Sequence, residues 1–182
     1  MVFKEENSIK IRIIGGCGSG KSYIAKELSN TYGVKYYELD NLVWDRSAEN
    51  FRFPIEIRDS NLKKIVNTEE WIIEGVHYRW GQESFKEADL IFIIQPNRVL
   101  RDYRVIKRFI KSRLGIEPWN YKQTLKDLFQ MLFIRNKDFD KKKIKDILEL
   151  TEIYAEKRFV VQNNKEVLKY VQGHLEVASR RQ

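Results

Sequence analysis

The 182-residue sequence has few of the residues that build cross-linked or metal-stabilised proteins. It contains one cysteine, Cys17, and two histidines, His77 and His174, which are far apart in the chain. A single cysteine excludes an intramolecular disulfide and a cysteine-rich zinc site, and two distant histidines disfavour a histidine-based metal site. Only three prolines occur, and no proline- or glycine-rich linker divides the chain. The sequence therefore predicts one globular domain with an apolar core of its own.

Long apolar runs are missing as well. No segment approaches the roughly 20 apolar residues that cross a bilayer, and residues 1–7 lack the apolar stretch of a signal peptide. The apolar content of 42% is that of an ordinary globular protein. We therefore expect a cytoplasmic protein, a monomer or a homodimer, with no membrane partner.

A phosphate-binding motif follows directly on the first candidate strand. The pattern G-x-x-x-x-G-K-[ST] is complete, and its residues are Gly15, Gly16, Cys17, Gly18, Ser19, Gly20, Lys21 and Ser22. The β-branched run 8–14 predicts a strand before it, and residues 23–28 have the apolar spacing of a helix after it. A plain glycine-rich turn is the alternative, and it gives the Lys-Ser pair no role.

The chemistry of this motif indicates the ligand. Its glycines let successive backbone N–H groups point inward as an anion nest, and the following helix adds its positive N-terminal end. Lys21 supplies a mobile positive charge for the β- and γ-phosphates, and the Ser22 hydroxyl can ligate Mg²⁺. The expected ligands are therefore ATP, or GTP, and Mg²⁺.

Strand and helix patterns alternate along the chain. Candidate strands are residues 10–14, 34–37, 71–74, 90–94 and 159–161. Candidate helices are residues 21–32, 55–66, 99–114, 121–133, 141–156 and 165–171. This alternation predicts an α/β fold with a parallel sheet covered on both faces. The long helical stretch lies before the last strand, and the polar residues 173–182 are expected to form a flexible tail.

Short motifs further along the chain resemble a known family. The loop is followed by Glu38-Leu39-Asp40, by Trp71-Ile72-Ile73-Glu74-Gly75, by Ala88-Asp89-Leu90-Ile91-Phe92-Ile93-Ile94 and by an arginine-rich helix. In this order they resemble the adenylate-kinase-like P-loop kinases, and within that group the bacterial proteins named DNA topology modulation protein or adenylate kinase-related. The resemblance covers about residues 9–170. It implies one domain over residues 1–172, with three α/β/α layers and a five-stranded parallel sheet in the order 2-3-1-4-5. An acceptor-binding segment is implied at about residues 40–67 and a helical lid at about residues 98–157.

The resemblance also implies roles for residues outside the loop. Asp40, after the second strand, would orient or deprotonate an acceptor hydroxyl, and an N-cap for a turn is the open alternative. Glu74 stands where the family usually has aspartate and would hold Mg²⁺ through water. Arg79 resembles the arginine that grips an acceptor phosphate, and Arg158 would stack on adenine. Asp89 precedes a strand, at the wrong end of the sheet for the site, and is interpreted as structural.

Positive charge concentrates in one candidate helix. Residues 98–113 contain seven basic residues and one acidic residue, which is +6 of the total net charge of +8. Arg101, Arg104 and Arg108 fall on one helical face. We expect another, apolar face to pack against the protein, and its residues are Leu100, Tyr103, Ile106 and Ile110. Such lid arginines would contact the transferring phosphate and increase its transfer rate by ~10³ or more. A solvated charged surface is the alternative.

The sequence therefore predicts a kinase that transfers the γ-phosphoryl group of ATP or GTP to a small acceptor, phosphorylated or of nucleoside type. Arg46, Arg52 and Arg58 in the acceptor segment hint at an anionic acceptor. The competing hypothesis is a nucleotide-switched, DNA-associated regulator that uses the basic helix. No helix-turn-helix, RNA-recognition or zinc pattern is visible in support of it, so nucleic acid is the less favoured partner.

Overall fold

The computed structural model describes residues 8–45, 51–116 and 124–179. Arg46 and the first part of the helix predicted at 121–133 lie outside these residues.

Five parallel strands form one sheet in the described part of the chain, in the order β2-β3-β1-β4-β5. They are β1 (Lys10–Gly15), β2 (Tyr36–Glu38), β3 (Trp71–Glu74), β4 (Leu90–Ile94) and β5 (Arg158–Val161). In the register, Ile13 of β1 lies opposite Glu74 of β3. Because parallel strands end at the same edge of a sheet, the residues that follow β1, β2 and β3 meet there.

Helices cover both faces of this sheet. The described helices outside residues 98–157 are α1 (Lys21–Tyr32), α2 (Leu39–Val43), α3 (Ile55–Val66), α4 (Glu83–Glu87) and α9 (Asn164–Ser179). Ile24 of α1 and Val167 of α9 pack on one face, and Leu62 of α3 and Phe85 of α4 pack on the other. The strands β3 and β4 are buried along their whole length, as sheets with two covered faces require. The predicted fold class, a P-loop kinase fold with this strand order, is confirmed.

The described residues of 98–157, which are 98–116 and 124–157, are mostly helical and are here called the helical segment. It contains α5 (Arg98–Arg113) and a continuous run built from α6 (Leu125–Phe129), a π-helix (Gln130–Arg135), α7 (Asn136–Asp138), a second π-helix (Phe139–Lys143) and α8 (Ile144–Leu150). A 3₁₀-helix (Glu152–Lys157) then leads into β5. Nowhere between residues 8 and 179, the two undescribed gaps aside, is a helix long and apolar enough to cross a membrane.

Two sequence expectations are corrected here. The tail predicted from residue 173 is helical as far as Ser179, because α9 continues with Leu175 packed against the same core as Val167 and Val171. The apolar face of α5 does not pack. Tyr103, Ile106 and Ile110 are exposed, and the buried residues of this helix are Arg101, Val105 and Phe109.

Candidate active site

The loop between β1 and α1 is held tightly by the helical segment. Gly18 has φ +73°, in the left-handed region that favours glycine, and a β-carbon there would lie 2.5 Å from the carbonyl oxygen of Arg101. A β-carbon on Gly16 would lie 3.1 Å from the Phe139 ring. The helix backbone of α5 and the Phe139 ring therefore rest directly on the loop.

The end of the loop meets the end of β3. The Ser22 hydroxyl donates a 2.7 Å hydrogen bond to Oε1 of Glu74, and Nζ of Lys21 lies 3.8 Å from Oε2 of the same carboxylate. Glu74 is only 4% exposed, and its Oε2 has no hydrogen-bond partner. Burying a carboxylate oxygen without a hydrogen bond is costly, so this oxygen marks a place where a cation or a donor is expected.

The three residues fit a magnesium site. A hydroxyl and a carboxylate are hard oxygen donors of the kind that Mg²⁺ binds, with phosphate and water oxygens completing the coordination. Oε2 of Glu74 accepts no hydrogen bond and lies 3.8 Å from the Lys21 ammonium, while Oε1 accepts from Ser22, so the carboxylate stands where a nucleotide's phosphates would enter. Across residues 8–45, 51–116 and 124–179, no group of three or more His, Cys, Asp or Glu side chains forms a protein-only metal site. The Ser22 hydroxyl and the Glu74 carboxylate suit a metal whose other ligands are phosphate and water oxygens.

Arg101 lies buried above the loop. It is 1% exposed and forms an ion pair with Asp140 through Nη2. Its Nε and Nη1 atoms have no hydrogen-bond partner in the described part of the chain, and Nη1 lies 3.1 Å from the position of a β-carbon on Gly16. A buried guanidinium with unpaired N–H groups beside a phosphate loop is the donor that an anion would satisfy.

The other two predicted lid arginines differ in position. Nη1 of Arg104 lies 3.2 Å from the Ser19 carbonyl oxygen and 3.4 Å from that of Gly18, so this side chain reaches the loop. The Nη2 atom of Arg108 contacts the sulfur of Met131, in the helical segment, at 4.0 Å. The structure therefore brings Arg101 and Arg104 to the loop and leaves Arg108 within the helical segment.

Asp40 lies in the short helix α2, beyond the end of β2, and it is paired with a histidine. Its Oδ1 is 2.9 Å from Nε2 of His77. The N-cap of this helix is Glu38, so Asp40 does not have the alternative capping role. Because β2 and β3 are neighbours in the sheet, the Asp40–His77 pair lies at the same edge as Glu74.

A buried arginine holds the backbone that carries His77. Arg12 projects from the central strand β1, is fully buried, and donates from Nη2 to the carbonyl oxygens of His77 (2.7 Å) and Gly75 (3.3 Å). Its guanidinium also lies over the Phe85 ring, 5.0 Å from the centroid. Burial lowers the pKa of Arg12 to about 10, and the nearby Glu74 carboxylate acts in the opposite direction. The side chain is therefore charged at neutral pH and fixes the segment that follows β3.

The remaining predicted residues lie at three different places. Arg79 is 72% exposed and lies 3.5 Å from Oδ2 of Asp146 in α8. Arg158 begins β5, at the end of the sheet opposite the loop. There its Nη1 donates to the Leu148 carbonyl oxygen at 2.7 Å, and its stacking on adenine stays a prediction. Asp89 accepts a 2.8 Å hydrogen bond from the backbone N–H of Lys10 at that same edge, as its structural interpretation required.

The described arginines of the acceptor segment are engaged with aromatic rings. Arg52 lies over Trp44 and Arg58 over Trp80, each 4.3 Å from the ring centroid. Arg58 also pairs with Asp59 at 2.7 Å. These contacts account for Arg52 and Arg58 as packing residues, so the two arginines give no evidence for an anionic acceptor.

Sequence reasoning did not assign site roles to Arg12, His77, Asp140 and Asn164. Asn164, at the start of α9, has its side chain 3.2 Å from the position of a β-carbon on Gly20. The one available signal was Arg12 itself, because a charged residue inside an otherwise apolar strand indicates a paired and specific contact. The other three come from distant parts of the chain and carry no local pattern.

The comparisons with known proteins support the fold and no more. No protein-family model matches the chain, and no curated protein matches it. Among solved structures, an uncharacterized protein from Eubacterium ventriosum ATCC 27560 is similar with a TM-score of 0.50 and 20% identity, over 91% of this chain and 99% of that one. A gluconokinase from Sinorhizobium meliloti 1021 aligns with a TM-score of 0.49 and 13% identity, over 96% of this chain and 95% of that one. The similarity to the gluconokinase is too low to support an inference. The similarity to the Eubacterium ventriosum protein agrees with the fold established by the strand order.

Proposed function

We propose that this chain is a P-loop kinase that transfers the γ-phosphoryl group of ATP or GTP to a small-molecule acceptor. The observation that supports this most is the cluster of Lys21, Ser22 and Glu74, in which a buried carboxylate oxygen without a hydrogen bond lies beside the loop. A cytoplasmic location, where nucleoside triphosphates are abundant, is part of the proposal.

The loop residues bind and orient the nucleotide. The Lys21 ammonium neutralises charge on the β- and γ-phosphates, and the Ser22 hydroxyl and the Glu74 carboxylate hold Mg²⁺, which when bound neutralises phosphate charge that develops during transfer. Arg101 and Arg104 contribute donors from the other side of the loop. Because phosphoryl transfer depends on positioning and charge neutralisation, this set supplies most of what the reaction needs.

The acceptor enters from the side of Asp40. The acceptor oxygen forms a bond to the γ-phosphorus while the bond from that phosphorus to the bridging oxygen breaks, and the nucleoside diphosphate leaves with the bonding electrons. For a hydroxyl acceptor, its proton passes to the Asp40 carboxylate. The His77 N–H, placed by Arg12, fixes the orientation of that carboxylate.

The basic helix gives no independent reason to propose a nucleic-acid regulator. Arg101 is buried and the half-buried Arg104 contacts the loop backbone, so two of the three arginines that suggested a binding face are engaged at the loop. The comparisons also offer no support for a role in DNA topology.

A thermal-shift experiment with Mg·ATP and Mg·GTP tests the proposal. At a ligand concentration one hundred times Kd the free energy of unfolding rises by about 2.7 kcal/mol, which for a chain of this size raises Tm by roughly 5–10 °C. Lys21→Ala is expected to lose most of this shift, and Lys26→Ala, an exposed lysine on α1, is expected to keep it. An unchanged shift in Lys21→Ala contradicts nucleotide binding by the loop.

A further inference from the structure

A cavity of about 420 Å³ opens beside the Asp40–His77 pair. It is lined by residues 76–80, which follow β3, and by Asp138, Lys142 and Lys143 of the helical segment. Its volume is in the range of small-molecule sites. The cavity therefore connects the residues next to Glu74 with the second π-helix, a part of the chain that the sequence did not associate with an acceptor.

The charged side chains of this cavity are mostly positive. Lys143 is paired with Asp138 at 3.1 Å, and Arg79 with Asp146 at 3.5 Å. Lys142 is exposed and forms no close ion pair among the described residues, although its charge, after the Tyr78 hydrogen bond and the nearby Arg79, also lowers the pKa of Asp146. Ion pairs at partly exposed positions contribute little, so an incoming anion can recruit Arg79 and Lys143 in addition to Lys142.

The aromatic rings of the cavity offer little for a nucleobase. The Trp80 ring has the Arg58 guanidinium 4.3 Å from its centroid and the His77 ring 5.2 Å away at a tilt of 43°. Tyr78 is 6% exposed, its hydroxyl donates to Asp146 at 2.8 Å, and burial raises its pKa. Base stacking requires an open ring face, and these two rings are already engaged.

The Asp40–His77 pair adds information about the reacting group. A phosphate acceptor is already ionised at neutral pH and needs no base, whereas an alcohol must lose its proton during transfer. A carboxylate held in place by an imidazole N–H suits the second case.

We propose that the acceptor is a small alcohol that also carries a carboxylate or phosphate group, bound in this cavity with the anion at Lys142, Lys143 and Arg79. Its hydroxyl oxygen attacks the γ-phosphorus, its proton goes to Asp40, and the products are a phosphate monoester and the nucleoside diphosphate. Lys142 is then a specificity-determining residue and His77 a positioning residue. This inference depends on the proposed kinase function.

An acceptor panel tests the chemical class. ADP release from Mg·ATP is measured with a six-carbon polyol, the matching aldonate, the matching sugar phosphates and nucleoside monophosphates, and ³¹P NMR identifies the product. Stimulation by an anionic alcohol, with a phosphate monoester as product, supports the inference. Stimulation by the neutral polyol alone, by a nucleotide that yields a phosphoanhydride, or by none of these compounds overturns it. The last result leaves the proposed function standing if the Lys21-dependent thermal shift is present.

A matched pair of lysine variants tests the site. Lys142→Ala is expected to raise KM for the stimulating anionic acceptor about tenfold, as the loss of one charge-assisted contact implies, with KM for ATP unchanged. Lys145→Ala, exposed and paired with Glu149 outside the cavity, serves as the control. Equal acceptor KM values in the two variants overturn the assignment of the anion to this cavity. His77→Leu, which leaves no N–H to donate to Asp40, is expected to lower kcat with little change in KM, a split that a purely structural loss would not produce.

Discussion

The sheet and the helical segment follow opposite rules of burial. In the sheet, the apolar residues of β3 and β4 are buried, and Arg12 and Glu74 are buried charged exceptions. In α5, Tyr103, Ile106 and Ile110 are exposed while Arg101 is buried against the loop. In the sheet, packing decides which side chains are buried. In α5, a guanidinium is placed next to a phosphate loop at the expense of burying apolar surface, which is the pattern expected where function and packing compete.

The largest expected effect on turnover is that of replacing Glu74, at the site where the sheet and the helical segment would meet the bound nucleotide. Glu74→Gln keeps the shape of the side chain and removes its charge, so we expect turnover to fall by ~10³, several kcal/mol of charge stabilisation. Glu70→Gln, exposed just before β3, is the control. Basal ATP hydrolysis as a function of Mg²⁺ concentration measures the effect. Recovery of full activity at high Mg²⁺ would show that Glu74 contributes only to affinity for the metal.

The second expected effect isolates the helical segment. Arg104→Met is expected to lower single-turnover phosphoryl transfer, or basal hydrolysis, by ~10² while the nucleotide Kd changes little, because the contact strengthens mainly in the transition state. Arg101→Met is expected to act in the same direction and also to affect stability, since Arg101 is buried and ion-paired. Lys107→Met, on the exposed side of α5, is the control. A weaker Kd with unchanged turnover would assign these arginines to ground-state binding.

A third experiment breaks the contact between the two regions. Gly18→Ala places a β-carbon 2.5 Å from the Arg101 carbonyl oxygen, whereas Gly33→Ala has the same sign of φ and nothing within 4 Å. The positive φ alone costs about 1–2 kcal/mol in each variant, and the clash adds about 1–3 kcal/mol in Gly18→Ala. Chemical denaturation measures both. An equal decrease in the free energy of unfolding in the two variants would mean that α5 moves away from the loop at no energetic cost.

The smallest expected effect uses the single cysteine as a reporter. Cys17 is partly buried inside the loop, so bound Mg·ATP is expected to slow its alkylation severalfold by restricting access. The rate is measured with and without saturating nucleotide, and Lys21→Ala is expected to lose the protection. Equal labelling rates with and without nucleotide would show that the thiol points away from the bound phosphates.

Local sequence determined several core strands and helices and the phosphate-binding loop, whereas the strand order was expected only from the family resemblance. The helices predicted at residues 21–32 and 55–66 and the strands predicted at 71–74 and 90–94 have the bounds that the structure gives them. Such elements are encoded by apolar spacing within a few residues, and the phosphate motif is contiguous, so neither requires knowledge of distant contacts.

Only the tertiary structure decided how the site is completed. The π-helices at Gln130–Arg135 and Phe139–Lys143 do not follow the 3.6-residue period, so a periodicity argument could not place Phe139 on the loop or Asp140 on Arg101. The apolar face of α5 fits the periodic pattern and is nevertheless exposed, because the pattern defines a face but not its partner. The pairing of Asp40 with His77, and the tether from Arg12, join residues 37 and 65 positions apart. Contacts of that separation follow from the packing of the whole sheet, which no local pattern specifies.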